Sequence, residues 1–225
     1  MFKISNILNP QTLFETTSLI SGNIKVTQRG NERRLMVGGY VQSINWDCPG
    51  VEKRVWGKMA AASLAECPNA KKILLLGLGA GTVVGILREI KPELYITAIE
   101  IDEKIIRIAD EYFGISTQKG FLDILNRDAL ELPLMKDLGC PDIILIDVYC
   151  GGNFPEKFWG KDFMETLAKI MNKGGCVIFN RILRTDVEYE VEEAKQYLLN
   201  FFKTISVQGV NIVGNSGNIL FICKN

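Results

Sequence analysis

Lys72-Ile73-Leu74-Leu75-Leu76-Gly77-Leu78-Gly79-Ala80-Gly81-Thr82 is followed, after one helix-length segment, by Ala98-Ile99-Glu100-Ile101-Asp102. An apolar run stops at closely spaced glycines. A helical pattern follows, and a second apolar run ends on an acid. This is the layout of a nucleotide-binding βαβ unit, in which glycines let the backbone approach a ligand and an acid meets its ribose.

The glycine spacing helps to say which nucleotide. A dinucleotide fingerprint needs glycine at the sixth position of GxGxxG, and Thr82 stands there. The third glycine comes one residue early, giving GxGxG, the spacing seen in enzymes that use S-adenosylmethionine. A nicotinamide oxidoreductase is disfavoured on the same ground.

Outward from this stretch, strands and helices alternate. Strands are expected at 72–76, 95–101, 121–125, 143–146 and 176–180. Helices are expected at 51–67, 82–90, 103–113, 161–171 and 187–202. Asp102 is a plausible helix cap and Gly114 a stop. Segments 204–207 and 218–223 should close the sheet as an antiparallel pair. Alternation of this kind means a parallel sheet covered on both faces, and the continuous apolar run Ile143-Ile144-Leu145-Ile146 suits its buried middle. Ahead of it, Ile24, Val26, Leu35 and Val37 alternate with polar residues about a turn at Gly30-Asn31, which reads as a hairpin. Residues 1–16 read as a loose arm or short helix. The expected fold is α/β: a Rossmann-like, mostly parallel seven-stranded sheet with helices on both faces. A small N-terminal β-hairpin region (1–50) precedes the nucleoside-binding domain (51–225).

Composition limits the chemistry. The 225 residues carry 26 basic and 26 acidic side chains, so no electrostatic case exists for nucleic acid or a membrane surface. No run approaches the roughly 20 apolar residues of a membrane span, and no signal peptide is visible. The cysteines at 48, 67, 140, 150, 176 and 223 form no CxxC pair. Reduced thiols and a cytoplasmic location are expected, with no metal. The chain has no histidine, which excludes a Ser-His-Asp triad, a Cys-His dyad and histidine-ligated metals.

In an open α/β sheet the ligand lies beyond the carboxyl ends of the strands. Four of those ends carry polar markers: the glycine loop of Gly77, Gly79 and Gly81, then Glu100, Asp128 and Asp147. Glu100 can accept hydrogen bonds from both ribose hydroxyls, and Asp128 from an adenine amino group. Asp147 ends the central strand, where a reacting group would lie. Asp128 and Asp147 also have a plainer reading as helix caps or loop residues. Cys150 reads as an ordinary loop residue, and Trp46, Trp56 and Trp159 as packing residues, although Trp46 and Trp56 flank the expected entrance.

On these residues the chain resembles the spermidine synthase family, within the class I S-adenosylmethionine-dependent fold. The likeness runs from about Ile24 to Cys223. It includes the hairpin running into Gly38-Gly39-Tyr40-Val41-Gln42-Ser43, the glycine loop, Ile99-Glu100-Ile101-Asp102, Arg127-Asp128-Ala129, the strand ending at Asp147, and 163–180. The resemblance implies a nucleoside site of Gln42, Gly77, Gly79, Gly81, Glu100, Ile101, Asp128 and Ala129, with Asp147 as the catalytic acid–base group. It implies S-adenosylmethionine or its decarboxylated form as cofactor, a small-molecule acceptor and a homodimer.

The departures lie at the reaction centre. Aminopropyltransferases typically carry an aspartate where Ala80 stands, a second acid where Cys150 stands, and a Tyr and a Glu near Trp56 and Lys58. A carboxylate in the glycine loop would pair with the cationic amine of decarboxylated S-adenosylmethionine and repel the carboxylate of S-adenosylmethionine. Fewer acids also weaken a site for a polycation, since an unpaired buried ammonium costs several kcal/mol. The leading expectation is therefore methyl transfer to a small nitrogen or oxygen acceptor. Aminopropyl transfer to a polyamine is the alternative, and a non-catalytic nucleoside-binding protein is the third reading.

Overall fold

The computed structural model describes residues 9–118, 120–135, 138–183, 187–213 and 216–225. In chain order the strands are β1 (Gln11–Ser18), β2 (Gly22–Arg29), β3 (Glu32–Val37), β4 (Tyr40–Ile44), β5 (Lys72–Leu76), β6 (Tyr95–Glu100), β7 (Leu122–Asn126), β8 (Ile143–Ile146), β9 (Cys176–Leu183), β10 (Thr204–Val213) and β11 (Ser216–Lys224). The α-helices are α1 (Val55–Glu66), α2 (Thr82–Ile90), α3 (Glu103–Phe113), α4 (Lys161–Ile170) and α5 (Val187–Leu198).

The larger sheet has the order β10-β11-β9-β8-β5-β6-β7. Strands β5 to β9 run parallel, while β11 joins β9 and β10 joins β11 antiparallel. The expected seven-stranded, mostly parallel α/β sheet is what the chain forms. Alternate residues of β5 enter opposite cores. Ile73 and Leu75 pack with α1, α2 and α3, and Leu74 and Leu76 pack with α4. Burial on both faces explains why these strands are continuously apolar.

The helix boundaries follow local chemistry. Asp102 caps α3, its carboxylate accepting from Lys104 N at 2.9 Å, and Gly114 ends the helix at φ +68°. Helix α5 stops at Leu198, short of the expected Phe202, which is buried in the turn beyond it.

The expected N-terminal hairpin is present as β2 and β3, paired about the Gly30-Asn31 turn, and the region extends beyond it. It is a four-stranded antiparallel sheet, order β1-β2-β3-β4, larger than a single hairpin. Gln11–Ser18 is a strand, which corrects the reading of a loose arm or short helix; residues 1–8 lie outside the described residues. Its side chains (Thr12, Leu13, Phe14, Thr16, Thr17) offer little apolar contrast between faces, so period-2 alternation was weak there. The sheet lies over the α1–α3 side of the molecule. Ile24, Val26, Leu35 and Ile44 join the same core as Val83, Val84 and Ile105. Trp46 packs flat against α2: a Cβ at Gly85 would sit 2.1 Å from its Cγ. The packing role expected of Trp46 is what the structure shows.

Candidate active site

Strand β5 ends against β6 and β8, and its glycine loop turns sharply at that point. Gly77 has φ +91°, and a Cβ there would fall 2.3 Å from the Asp147 carbonyl oxygen. Gly79 has φ +55°, with the Ser43 hydroxyl 2.3 Å from where its Cβ would lie. Both positions need glycine for conformation and for space. The loop is tied to β4 above it. Ala80 N donates to Ser43 Oγ at 3.0 Å, Ile44 N donates to Thr82 Oγ1 at 3.1 Å, and the Thr82 hydroxyl donates back to the Ile44 carbonyl.

A cavity of about 270 Å³ opens beside this loop, between the larger sheet and the N-terminal sheet. Gln42, Gly77, Gly79, Glu100, Ile101, Asp128, Ala129 and Asp147 all line it. Gly81 does not. It begins α2 in the left-handed conformation, and a Cβ there would press on Ile115 at 2.6 Å, so its demonstrable work is to start the helix. Leu35 and Val37 of β3 form the apolar side of the cavity, and Ile20 and Ser21 of the β1–β2 turn reach its rim.

The two nucleoside-side acids are already engaged with backbone. Glu100 Oε2 accepts from Leu78 N at 3.2 Å and Gly79 N at 3.4 Å, while Oε1 accepts from Asp102 N at 3.0 Å. Burial pushes its pKa up, and these three N–H donors pull against that. Glu100 therefore shapes the glycine loop and still offers lone pairs to the cavity. Asp128 Oδ1 accepts from Leu130 N at 2.9 Å as the cap of a short 3-10 turn. The plainer reading of Asp128 and its place on the cavity hold together. Gln42 donates to the Gly151 carbonyl at 2.5 Å, bridging the N-terminal sheet to the loop after β8.

Asp147 sits at the end of β8. Burial raises its carboxyl from 3.8 to about 6, opposed by hydrogen bonds from Asn180 and Trp56. Asn180 Nδ2 donates to Asp147 Oδ1 at 2.7 Å. Asn180 is itself almost fully buried and accepts at Oδ1 from Asn218 Nδ2 at 2.9 Å. Tyr149 Oη donates to the Asn180 carbonyl at 2.9 Å.

Sequence reasoning passed over Asn180, Asn218 and Ser43. Asn180 was within reach: it directly follows Phe179, the last β9 residue paired with β8 (opposite Ile146), just as Asp147 follows Ile146, and the ends of parallel strands are where ligands lie. Trp56 was read as a packing residue flanking the entrance, and its bond to Asp147 adds a polar role. Of the positions that depart from the aminopropyltransferase pattern, Cys150 lines the cavity. Ala80 is buried and does not line it, nor does Lys58. Among the described residues no group of three or more Cys, Asp and Glu could hold a metal ion.

The order of strands and the helices on both faces define the fold class: it is the class I methyltransferase-like fold, shared with solved spermidine synthases and a methyltransferase. A probable spermidine synthase from Corynebacterium glutamicum ATCC 13032 superposes with TM-score 0.71 at 18% identity, covering 96% of this chain and 79% of that one. A spermidine synthase in complex with the transition state analogue AdoDATO gives 0.72 at 15%, over 96% and 74%. Human methyltransferase-like protein 13 in complex with SAH gives 0.62 at 21%, over 79% and 82%.

Sequence relatives bear out the resemblance to the spermidine synthase family within that class. A probable polyamine aminopropyl transferase of Bifidobacterium longum (strain NCC 2705) is 29% identical over 136 residues, 60% of this chain and 29% of that protein. The polyamine aminopropyltransferase of Vibrio vulnificus (strain CMCP6) is 28% identical over 164 residues, 70% of this chain and 53% of that protein. An eEF1A lysine and N-terminal methyltransferase homolog of Drosophila melanogaster is 27% identical over 124 residues, 52% of this chain and 18% of that protein. The chain spans less than two thirds of the length of these curated relatives. No family model matches it.

Proposed function

We propose that this chain is a spermidine synthase-type transferase that moves an aminopropyl group from decarboxylated S-adenosylmethionine to an amine. One observation carries the reading: the half-buried carboxylate of Asp147, raised by desolvation to about 6, lies on the cavity that the nucleoside motifs line. Asp147 serves either reaction, and it is the relatives that reverse the order of expectation. The relatives weigh towards aminopropyl transfer, and methyl transfer becomes the second reading.

The lining residues fit an adenosyl group. A cavity at the low end of the usual ligand-site range, with an acid at the end of β6 and another after β7, matches a ribose and an adenine edge. Glu100 would take the ribose hydroxyls, Asp128 the adenine amino group, and Gly77 and Gly79 would admit the backbone to close contact. Ala129 and Ile101 supply apolar walls, and Gln42 holds the roof to the loop after β8. The bound sulfonium supplies an activated carbon and a neutral leaving group.

This chain's own task is to place an amine in line with that carbon and remove its proton. Orientation alone can supply roughly 7–11 kcal/mol of the barrier. The Asp147 carboxylate takes the proton from the amine nitrogen as it attacks, and that chemistry requires no histidine.

The second reading is favoured by a specific feature. Ala80, Cys150 and Lys58 stand where aminopropyltransferases place acids that hold cationic amines. Isothermal titration with both nucleosides, followed by turnover assays with putrescine, tests the choice. The proposal expects tighter binding of the decarboxylated form and an aminopropylated product. Tighter binding of S-adenosylmethionine with methylated product would install the second reading instead. The homodimer also stays a proposal, and light scattering of the purified chain tests it.

A further inference from the structure

Asp147 must be an ionised acceptor when it meets an amine, and its own burial works against that state. The structure holds a donor on it through two amides in series. Asn180 Nδ2 lies 2.7 Å from Asp147 Oδ1, and Asn218 Nδ2 lies 2.9 Å from Asn180 Oδ1. An amide side chain has a donor end and an acceptor end. The two bonds agree in sense: the Asp147 carboxylate takes a donor from Asn180, and the acceptor end of Asn180 is in turn satisfied by Asn218. Were the second site to offer an acceptor, the Asn180 amide would turn over and present its oxygen to the Asp147 carboxylate, where two acceptors cannot coexist without a proton between them.

We propose that Asn218, on the antiparallel strand β11, is a positioning residue that acts through Asn180 to keep an N–H donor on Asp147. Asn218 lies outside the cavity lining, so it does not meet the ligand itself. Its role is to set the polarity of the amide between the closing strand pair and the reaction centre. The proposal rests on the reading of Asp147 as the base.

The surroundings isolate the effect. Glu100, Arg127, Asp128, Tyr149 and Cys150 are the titratable or charged side chains that line the cavity with Asp147. Lys53, Arg54 and Lys58 about Trp56 and Arg181 beside Asn180 are the cationic residues near them in sequence, and none of them lines the cavity. The forces that move Asp147 are burial and the two hydrogen bonds from Asn180 and Trp56, with no charged neighbour among them. Opposite Asn218 on the flanking strands stand Ile182 and Val210, both apolar.

The test follows the Asp147 side-chain carboxyl carbon through pH by NMR in the full chain, with Asp147→Asn to assign the signal. Asn218→Leu removes the donor without adding charge, and Asn218→Asp replaces it with an acceptor of the same shape. The expected order of titration midpoints is parent, then Asn218→Leu, then Asn218→Asp, with the last raised by about one unit or more. The lower limb of the pH–rate profile should move by the same amounts. An unchanged midpoint in Asn218→Leu overturns the proposal even if Asn218→Asp fails to fold. Should the midpoints shift as expected while no amine yields product with either donor, the relay stands and the transferase reading falls. Should transfer occur with a midpoint that the Leu variant leaves alone, the reverse holds.

Discussion

At the scale of single residues, the proposed function rests on two carboxylates, Asp147 and Glu100, whose desolvation is opposed by hydrogen-bond donors. Asp147 has the larger consequence. Its folded pKa of about 6 lies above the ordinary 3.8, so the fold favours its protonated form. Between those values the unfolded chain has already released the proton and the native chain has not. Stability therefore declines as pH rises from about 4 to about 6 and is level with respect to this group above that. Asp147→Asn should be more stable than the parent at pH 7 by about 1–3 kcal/mol, with the difference fading towards pH 4 in urea denaturation series. The same substitution should lower transfer by about 10²–10⁴-fold while leaving nucleoside affinity nearly intact, as calorimetry would show. In the parent, kcat/KM should rise with pH through about 6 as the carboxylate becomes available. Glu100 carries the other test. Glu100→Ala should cut nucleoside affinity at least tenfold, since each hydrogen bond to a charged acceptor contributes about 1.5–3 kcal/mol. Unchanged affinity would remove the nucleoside from this cavity.

At the scale of elements, the β5–loop–α2 unit sets the position of everything else. Its glycines differ in what they abut, and that difference predicts an order. A methyl group at Gly77 meets the Asp147 backbone, which cannot move without shifting β8. One at Gly79 meets the Ser43 hydroxyl, which can rotate away at the expense of its bond to Ala80. Both also leave a non-glycine residue at positive φ, which costs roughly 1–2 kcal/mol. Gly77→Ala should lose about 2–4 kcal/mol and Gly79→Ala clearly less, measured by thermal or urea unfolding. The strand and helix bounds of this unit and its neighbours were legible in sequence; the part played by Gly81 was not. Lys72–Leu76, Thr82–Ile90, Glu103–Phe113 and Ile143–Ile146 are where the apolar runs, the cap at Asp102 and the stop at Gly114 put them. Strand β1 was not, because its pairing with β2 rests on backbone hydrogen bonds along a Thr-rich segment and leaves no strong apolar period.

At the scale of the whole molecule, the N-terminal sheet is part of the core as well as the roof of the cavity. Ile24, Val26, Leu35, Val37 and Ile44 are buried almost completely. At about 1.5–3 kcal/mol each, their burial is comparable to the entire stability of an ordinary domain. A chain beginning at Asn45 should lose cooperative melting by circular dichroism and should not bind the nucleoside. Retained cooperative melting would mark the sheet as an independent appendage.

The sequence by itself determined the parallel sheet, the glycine loop, and the strand ends at Glu100, Asp128 and Asp147. Those depend on local signals: apolar period, glycine spacing, and polar residues closing apolar runs. Only the tertiary structure decided that Gly81 serves the helix and stays off the cavity. The same is true of the roof, a four-stranded sheet pinned through Ser43 and Thr82, and of the route by which Asn180 and Asn218 reach Asp147. Those are contacts between residues far apart in the chain. Nothing in the local pattern of Asn180 or Asn218 tells which amide faces which, because that is settled when β8, β9 and β11 pair in register.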